Sequence, residues 1–282
     1  MTAEDTAYVT YVYAVARCGD ALRGPVTELE GVAGAPVRLL PGTGDGAPAF
    51  VASSVRADDF DEAALRRHLE DLEWLETVAR AHHAVIEALG AATTVLPLRL
   101  ATVYLDDDRA RAALAEGRTA FERLLARLEG HVEWGVKIYV DSSDEAVEPP
   151  APDPAASTGV GPGRSYLRNR RAQYSVRESA HRAAQTAADR VEAAGRALAG
   201  DRARHRVQQG ELAGAAGSRG ENVVNDAYLL SEDRSDAFRA EVARAADDLP
   251  GVRVEITGPW VPYSFTTPPE TAHAEGAEGG RS

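Results

Sequence analysis

The chain has 282 residues, 44% of them hydrophobic and 27% charged, with a formal net charge of −13. That length can fill one large hydrophobic core or two ordinary ones, and two domains are expected. The acidic balance argues against simple electrostatic capture of nucleic acid or an anionic membrane, since both would repel the average surface. The single cysteine, Cys18, cannot form an internal disulfide, and no basic and apolar leader is read at the N-terminus, so cytoplasmic residence is the expectation. No stretch approaches the roughly 20 consecutive apolar residues needed to cross a bilayer.

In chain order, residues 8–16 (YVTYVYAVA) concentrate β-branched and aromatic side chains and read as a central strand. Residues 36–40 and 50–55 read as two further strands, joined as a hairpin by the turn PGTGDGAP. Asp58 or Asp59 is placed to cap a helix carrying Leu65, Leu69, Leu72, Leu75, Ala79, Ile86 and Leu89, one long element with a potential break near Glu70. Residues 93–105 return to extended character, with Pro97 marking an edge or a bulge. Three carboxylates at Asp106, Asp107 and Asp108 then open a helix that closes at Gly130 and buries Leu114, Phe121, Leu124, Leu125 and Leu128.

Residues 132–140 (VEWGVKIYV) alternate as a half-exposed strand, and the proline- and glycine-rich stretch 141–163 that follows reads as a loop or linker. Residues 164–206 read as an alanine- and arginine-rich helix, whose apolar line of Ala184, Ala188, Val191, Gly195 and Leu198 permits close packing. A glycine-rich loop at 207–220 leaves room for a short strand near 207–212. A strand at 222–230, a helix capped by Ser235 or Asp233 and a strand at 252–257 complete the pattern. The fold class expected is α+β in two domains. An N-terminal α+β domain at 1–130 precedes a modified ferredoxin-like domain at 131–257 with a long Arg/Ala-rich helix, and a tail at 258–282 has a disordered end.

Catalytic and metal chemistry find little support. His82 falls on the apolar stripe of its helix, where a neutral imidazole with one hydrogen-bond partner is a common occupant, and His83 shares a face with Glu76, Arg80 and Glu87 in the manner of surface ion pairing. An HExxH zinc helix is absent, GTGDG lacks the lysine and hydroxyl residue of a phosphate loop, and no GxSxG elbow occurs. Glu133 and Lys137 lack a second carboxylate for acid and base work. No catalytic residue, metal ligand set or cofactor site is assigned.

The basic stretch stands apart. Residues 164–206 hold 11 arginines against four acids, a local charge of +7 that leaves −20 on the rest. It reads either as a solvated, ion-paired face or as a docking surface for an acidic partner, with Arg168, Arg171 and Arg182 as the candidate contacts. Nucleic acid is the weaker reading, because only Tyr166 and Tyr174 are at hand for base stacking. Near the C-terminus, residues 258–265 (GPWVPYSF) place three aromatic side chains within six positions. Gly258 would release the chain from the last strand, Pro259 and Pro262 would hold it extended, and Trp260, Tyr263 and Phe265 would staple it across the first domain. Alternatively, these aromatics extend the second domain's own core or face a partner.

Several of these segments together resemble the gas vesicle protein family GvpL/GvpF: YVYAVA, HHAVIEALG, TTVLPLRLATVY, EWGVKIYV, GRSYLRNRR, NVVNDAYLL and above all ITGPWVPYSF. Against the family's usual forms, Val261 replaces a proline, and RLATVY replaces RFGTVF, with Leu100, Ala101 and Tyr104 as departures. The resemblance implies two α+β domains, the second modified ferredoxin-like, and no enzymatic activity. It also implies an accessory role in gas vesicle assembly, with the hydrophobic shell protein and other accessory Gvp proteins as partners and the gas vesicle as the location. A ferredoxin-like binding module that contacts nucleic acid or an acidic protein through the arginine helix is the alternative.

Overall fold

Ten residues rich in valine and tyrosine form β1 (Tyr8–Arg17), and Val9 through Ala16 are all buried. A strand buried on both faces needs pairing on both edges and cover above and below. In the computed structural model β1 pairs antiparallel with β3 (Pro48–Arg56) on one side, and with β4 (Val95–Pro97) and β5 (Val103–Tyr104) on the other, while β2 (Arg38–Pro41) lies outside β3. The structure describes residues 7–44, 46–68, 70–141, 162–207 and 220–267. The chain divides into two compact units, Met1–His131 with Trp260–Ser282, and Val132–Pro259.

In the first unit, β1 and β3 present Tyr11, Tyr13, Val51 and Val55 to a core that also holds Leu22 and Val26 of α1 (Asp20–Glu28) and Val78, Val85, Ile86 and Leu89 of α4 (Leu72–Gly90). On the other side of β3, Phe50 meets the rings of Tyr104 and Phe121 at centroid distances of 5.8 and 5.9 Å. The pairing of β1 with β3 shifts register between Val12 and Ala14, so that Tyr13 is the extra residue of a bulge. Its hydroxyl donates to Ser53 Oγ and accepts from the Val32 amide.

The structure departs from the sequence pattern at four places in this unit. Helix α1 has no counterpart in the pattern, because Gly24 and Pro25 inside it look like breakers; burial of Leu22 and Val26 on either side of them holds the helix against that local preference. The long helix expected from Asp58 breaks near Glu70, where the pattern allows a break, and also at Asp61, so it is three helices: α2 (Ala57–Phe60), α3 (Glu62–His68) and α4. The caps of the latter two are Asp61, which accepts from the Ala64 amide, and Asp71, which accepts from Glu73 and Trp74. The helix expected up to Gly130 is α5 (Asp107–Glu116) and α6 (Arg118–Leu128), divided at Gly117, where a Cβ would lie 2.5 Å from the Phe121 ring. The extended run 93–105 is only the two short strands β4 and β5, separated by a turn at Ala101, whose φ is +60°.

In the second unit the elements run β6 (His131–Val140), α7 (Pro162–Leu198), β7 (Asp201–Arg204), β8 (Glu221–Ser231), α8 (Ser235–Ala243) and β9 (Val252–Trp260). The sheet order is β7-β8-β6-β9. Alternate residues of β6 (Trp134, Val136, Ile138, Val140) and of β8 (Tyr228, Leu230) face Ala180, Ala184, Ala187 and Val191 of α7 and Phe238 and Val242 of α8, so both helices cover one face. The helix expected over 164–206 starts at Pro162 and ends at Leu198, and Asp201 to Arg204 form an edge strand. Arginine on an edge strand gives it a helical look. Most of the strand placed near 207–212, most of the loop at 141–163 and the end of the tail lie outside the described residues. The last strand continues through Gly258 and Pro259 to Trp260 instead of ending at 257.

Candidate functional site

Among the described residues no cluster of histidine, cysteine and carboxylate side chains is arranged to hold a metal ion. The nearest approach to a polar site in the first unit is structural. Tyr11 Oη accepts from the Ala101 amide (3.1 Å) and therefore donates to His82 Nδ1 (3.0 Å), which leaves His82 Nε2–H to donate to the Leu98 carbonyl (3.3 Å). The ring is 4% exposed, and burial lowers its pKa to about 4. His82 thus has two partners instead of the one expected, and every polar atom of the group is occupied by the fold.

The arginine surface is set by the periodicity of α7. Ala180, Ala184, Ala187, Val191 and Gly195 form its buried line, and none of the described side chains from 170 to 179 is buried. The N-terminal half of this helix therefore presents its described residues to solvent. Arg171 and Arg182 are both exposed and stand 11 residues apart, about three turns and so on nearly one side of the helix. Arg168 lies on the same helix backbone, but its side chain is outside the described residues. Arg182 bonds Glu178 at 3.1 Å across one turn, and Arg177 reaches Glu221 at 2.9 Å. The face is thus partly ion-paired and partly open, a mixture of the two readings given by the composition.

The aromatic segment lies against the first unit. Tyr263 and Val261 pack on that unit's core, and Phe265 is 3% exposed with the Arg127 guanidinium 6.0 Å from its ring centre. Tyr263 Oη and His83 Nδ1 are 3.1 Å apart, and His83 Nε2 lies 3.1 Å from Glu87. Burial, with Glu87 nearby, pushes the Tyr263 phenol well above its ordinary pKa. Trp260 sits beside His83 but is 42% exposed, so of the three aromatics it is the one that keeps an open face. Gly258 has φ +137°, and a Cβ there would lie 2.8 Å from the Glu133 carbonyl and 3.0 Å from the Trp134 ring, which restricts the position to glycine.

Pattern reading assigns His83 to Glu76, Arg80 and Glu87. The structure pairs Arg80 with Glu76 and turns His83 toward Glu87 and Tyr263, a partner 180 positions away that no local spacing can reveal. Pattern reading also misses a charged cluster around Tyr228, in which Arg202 lies between Glu192 and Asp226. Its only sequence signal is the alternation of Asp226, Tyr228 and Leu230 along β8.

Residues 9–267 match the family model described as gas vesicle synthesis protein GvpL/GvpF. The chain belongs to the GvpL/GvpF family. It is 43% identical to gas vesicle protein L of a Streptomyces species over 96% of this chain and 97% of that one. Gas vesicle protein F of the same Streptomyces is 27% identical, over 91% and 98% of the two chains, and gas vesicle protein F2 of Halobacterium salinarum is 26% identical, over 76% and 82%. The fold is similar to two crystal structures of GvpF. The Anabaena protein aligns with a TM-score of 0.60 at 19% identity, over 93% of this chain and 97% of that one. The Microcystis aeruginosa protein aligns with 0.58 at 18%, over 92% and 99%. Membership assigns the chain a role in gas vesicle organisation, within a mixed helix-and-sheet fold that contains two sheets. Among the described residues no helix is long and apolar enough to cross a membrane.

Proposed function

We propose that this GvpL/GvpF member is a non-enzymatic accessory factor that binds the gas vesicle shell protein and other accessory Gvp proteins while vesicles nucleate or grow. The observation that carries the reading is the exposed, arginine-rich half of α7, a 37-residue helix whose described side chains from 170 to 179 have no core to cover. A helix stabilised at one end by packing and basic along its other end is suited to hold an acidic protein surface. Shell subunits that expose apolar area before they polymerise need such a holder to keep them from aggregating. The higher identity to the Streptomyces L protein than to the F protein of the same organism favours an L-type assignment.

In this reading the second unit is a modified ferredoxin-like domain, supported by the element order β-α-β-β-α-β and by a sheet in which the first and third strands are central. The tail residues Trp260, Tyr263 and Phe265 act as a staple on the first unit. The location is the vesicle or the cytoplasm in which it assembles, and no cofactor is required.

Co-expression of the protein with the shell protein and neighbouring accessory proteins tests this by pull-down. Wild type should retain partners, and the combined Arg168→Glu, Arg171→Glu and Arg182→Glu variant should lose them. Absence of retention by wild type at any salt concentration would overturn the assembly role. One observation favours a second reading: Tyr174 is 62% exposed with the Arg170 guanidinium 5.9 Å from its ring centre, an arrangement on which a base can stack. A salt-dependent affinity for RNA or DNA that exceeds the affinity for Gvp proteins would select it.

A further inference from the structure

The sheet of the second unit ends on two unlike edges. One is β7, which runs for four residues and carries Arg202 and Arg204. The other is β9, nine residues long, and among the described residues no strand pairs with its outer side. Its inner side fixes which groups point outward. The Asp141 amide donates to the Gly251 carbonyl at 3.0 Å, the Arg253 guanidinium lies 4.3 Å from the centre of the Tyr139 ring, and a Cβ on Gly135 would stand 2.8 Å from Thr257 Oγ1, so β6 and β9 keep one antiparallel register between these points. In that register Gly251, Arg253, Glu255 and Thr257 turn their N–H and C=O groups toward β6, and Val252, Val254 and Ile256 turn theirs away from the sheet. An edge of this kind is a template for another strand.

The side chains define which strand it takes. Val252, Val254 and Ile256 pack on the core beneath α7 and α8 yet stay half-buried, so they keep apolar surface that a neighbouring strand would cover. Arg253 and Glu255 alternate with them on the opposite face, ion-paired to each other along the strand, with each side chain 36% exposed. A second β9 laid antiparallel to the first continues the ladder only where outward-facing residues meet outward-facing residues. Centred on Val254, that pairing sets Val254 against its own copy, Val252 against Ile256, and Arg253 against Glu255 at both non-hydrogen-bonded positions, where side chains approach most closely. Centred on Arg253 or on Glu255 instead, it sets like charge directly against like. The strand thus carries a sign pattern complementary to itself in one register, which is what a two-fold interface requires.

We infer that the occupant is a second copy of this chain: two β9 strands pair antiparallel about Val254 and join the two sheets into one, with the helices of both copies on the same face. The contact is a single strand pair, so the dimer is weak and forms as concentration rises. The inference goes beyond the assembly reading and uses none of the arginines of α7; every group in it belongs to the second unit.

Sedimentation velocity of the full chain tests this at concentrations up to about 100 μM, which populates a dimer of micromolar Kd. Wild type should move toward twice the mass of one chain as concentration rises. Arg253→Glu and Glu255→Arg each set like charges opposite one another at both positions, and each alone should weaken the dimer by at least about tenfold. Mixed together, the two variants regain opposite charges at both positions and should form a heterodimer as readily as wild type pairs with itself. The double variant Arg253→Glu, Glu255→Arg should recover in the same way. A misfolded chain recovers in neither case, so recovery separates pairing from folding. Val254→Pro removes an N–H that points outward, a change that an edge strand tolerates, and should leave the chain folded and monomeric. If circular dichroism shows that variant unfolded, the mixed variants decide alone. A wild type that stays monomeric throughout would leave this edge to a strand of some other protein and overturn the proposal. A dimer that survives Val254→Pro would overturn it as well, as would single variants that dimerise as well as wild type or fail to recover when mixed.

Discussion

Val261 occupies the space that Gly90 leaves at the end of α4: a Cβ built on Gly90 would stand 2.5 Å from Val261 Cγ2. The tail residue thus depends on a missing methyl group on a helix far from it in sequence. Gly90→Ala should push Val261 and its neighbour Tyr263 off the core despite alanine's better helix propensity, and cost roughly 1–3 kcal/mol, the usual penalty of overpacking. Urea unfolding followed by tryptophan fluorescence in a Trp74→Phe, Trp134→Phe background, where Trp260 is the remaining tryptophan, checks it. An unchanged or raised midpoint would show that the tail contact is dispensable.

Ala101 holds φ +60°, where its amide reaches the Tyr11 hydroxyl. An L-residue with a Cβ is disfavoured in this region by roughly 1–2 kcal/mol, whereas glycine enters it freely and loses somewhat more chain entropy on folding. Ala101→Gly should therefore stabilise the first unit by up to about 1 kcal/mol. The turn here has a glycine-like backbone without the glycine. A lower melting temperature for the variant would contradict this account.

His82 makes the first unit sensitive to acid. Its pKa is depressed to about 4 in the fold by burial, against 6.5 for the free side chain, so between those values the unfolded chain binds a proton that the folded one does not. Stability from this residue is complete above pH 6.5, falls as the pH drops, and bottoms out below about 4, a loss on the order of 3 kcal/mol. Denaturation midpoints measured across that range should fall more steeply for wild type than for His82→Gln. Parallel slopes would place the acid sensitivity elsewhere.

Asp226 is 5% exposed and holds one side of Arg202, whose side chain is 25% exposed. Asp226→Ala leaves that guanidinium with Glu192 as its remaining carboxylate and should destabilise the second unit by roughly 2–4 kcal/mol, somewhat below the cost of orphaning a fully buried charge. Arg202→Met combined with Asp226→Leu should recover much of the loss. Equal unfolding midpoints for the single variant and wild type would contradict the assignment of a stabilising role to this pair.

What the sequence made legible follows its periodicities. The strand at 8–16, the hairpin after it, the alternating strand at 132–140 and the narrow apolar line of α7 each repeat a pattern of two or near four, and each is found where that pattern lies. Residues whose meaning is set by a distant neighbour were not legible. Pro25 reads as a breaker until Leu22 and Val26 are seen anchored in the core around it, and Gly117 reads as an ordinary helix residue until Phe121 is seen in the place of its Cβ. Arg202 and Arg204 extend a basic helical composition, yet they lie on an edge strand because β8 offers them Tyr228 and Asp226 as opposite neighbours. His83 had a sufficient local explanation that hid Tyr263.

The first unit is discontinuous: residues 1–131 are completed by a segment that begins at Trp260, with the whole second unit encoded between. During translation the ribosome therefore releases the Gly90 and His83 surface long before Val261 and Tyr263 exist to cover it. At the usual rate of roughly 5–20 residues per second the wait is on the order of ten seconds. For that interval the nascent chain carries uncovered the apolar strip on which Val261 and Tyr263 later pack.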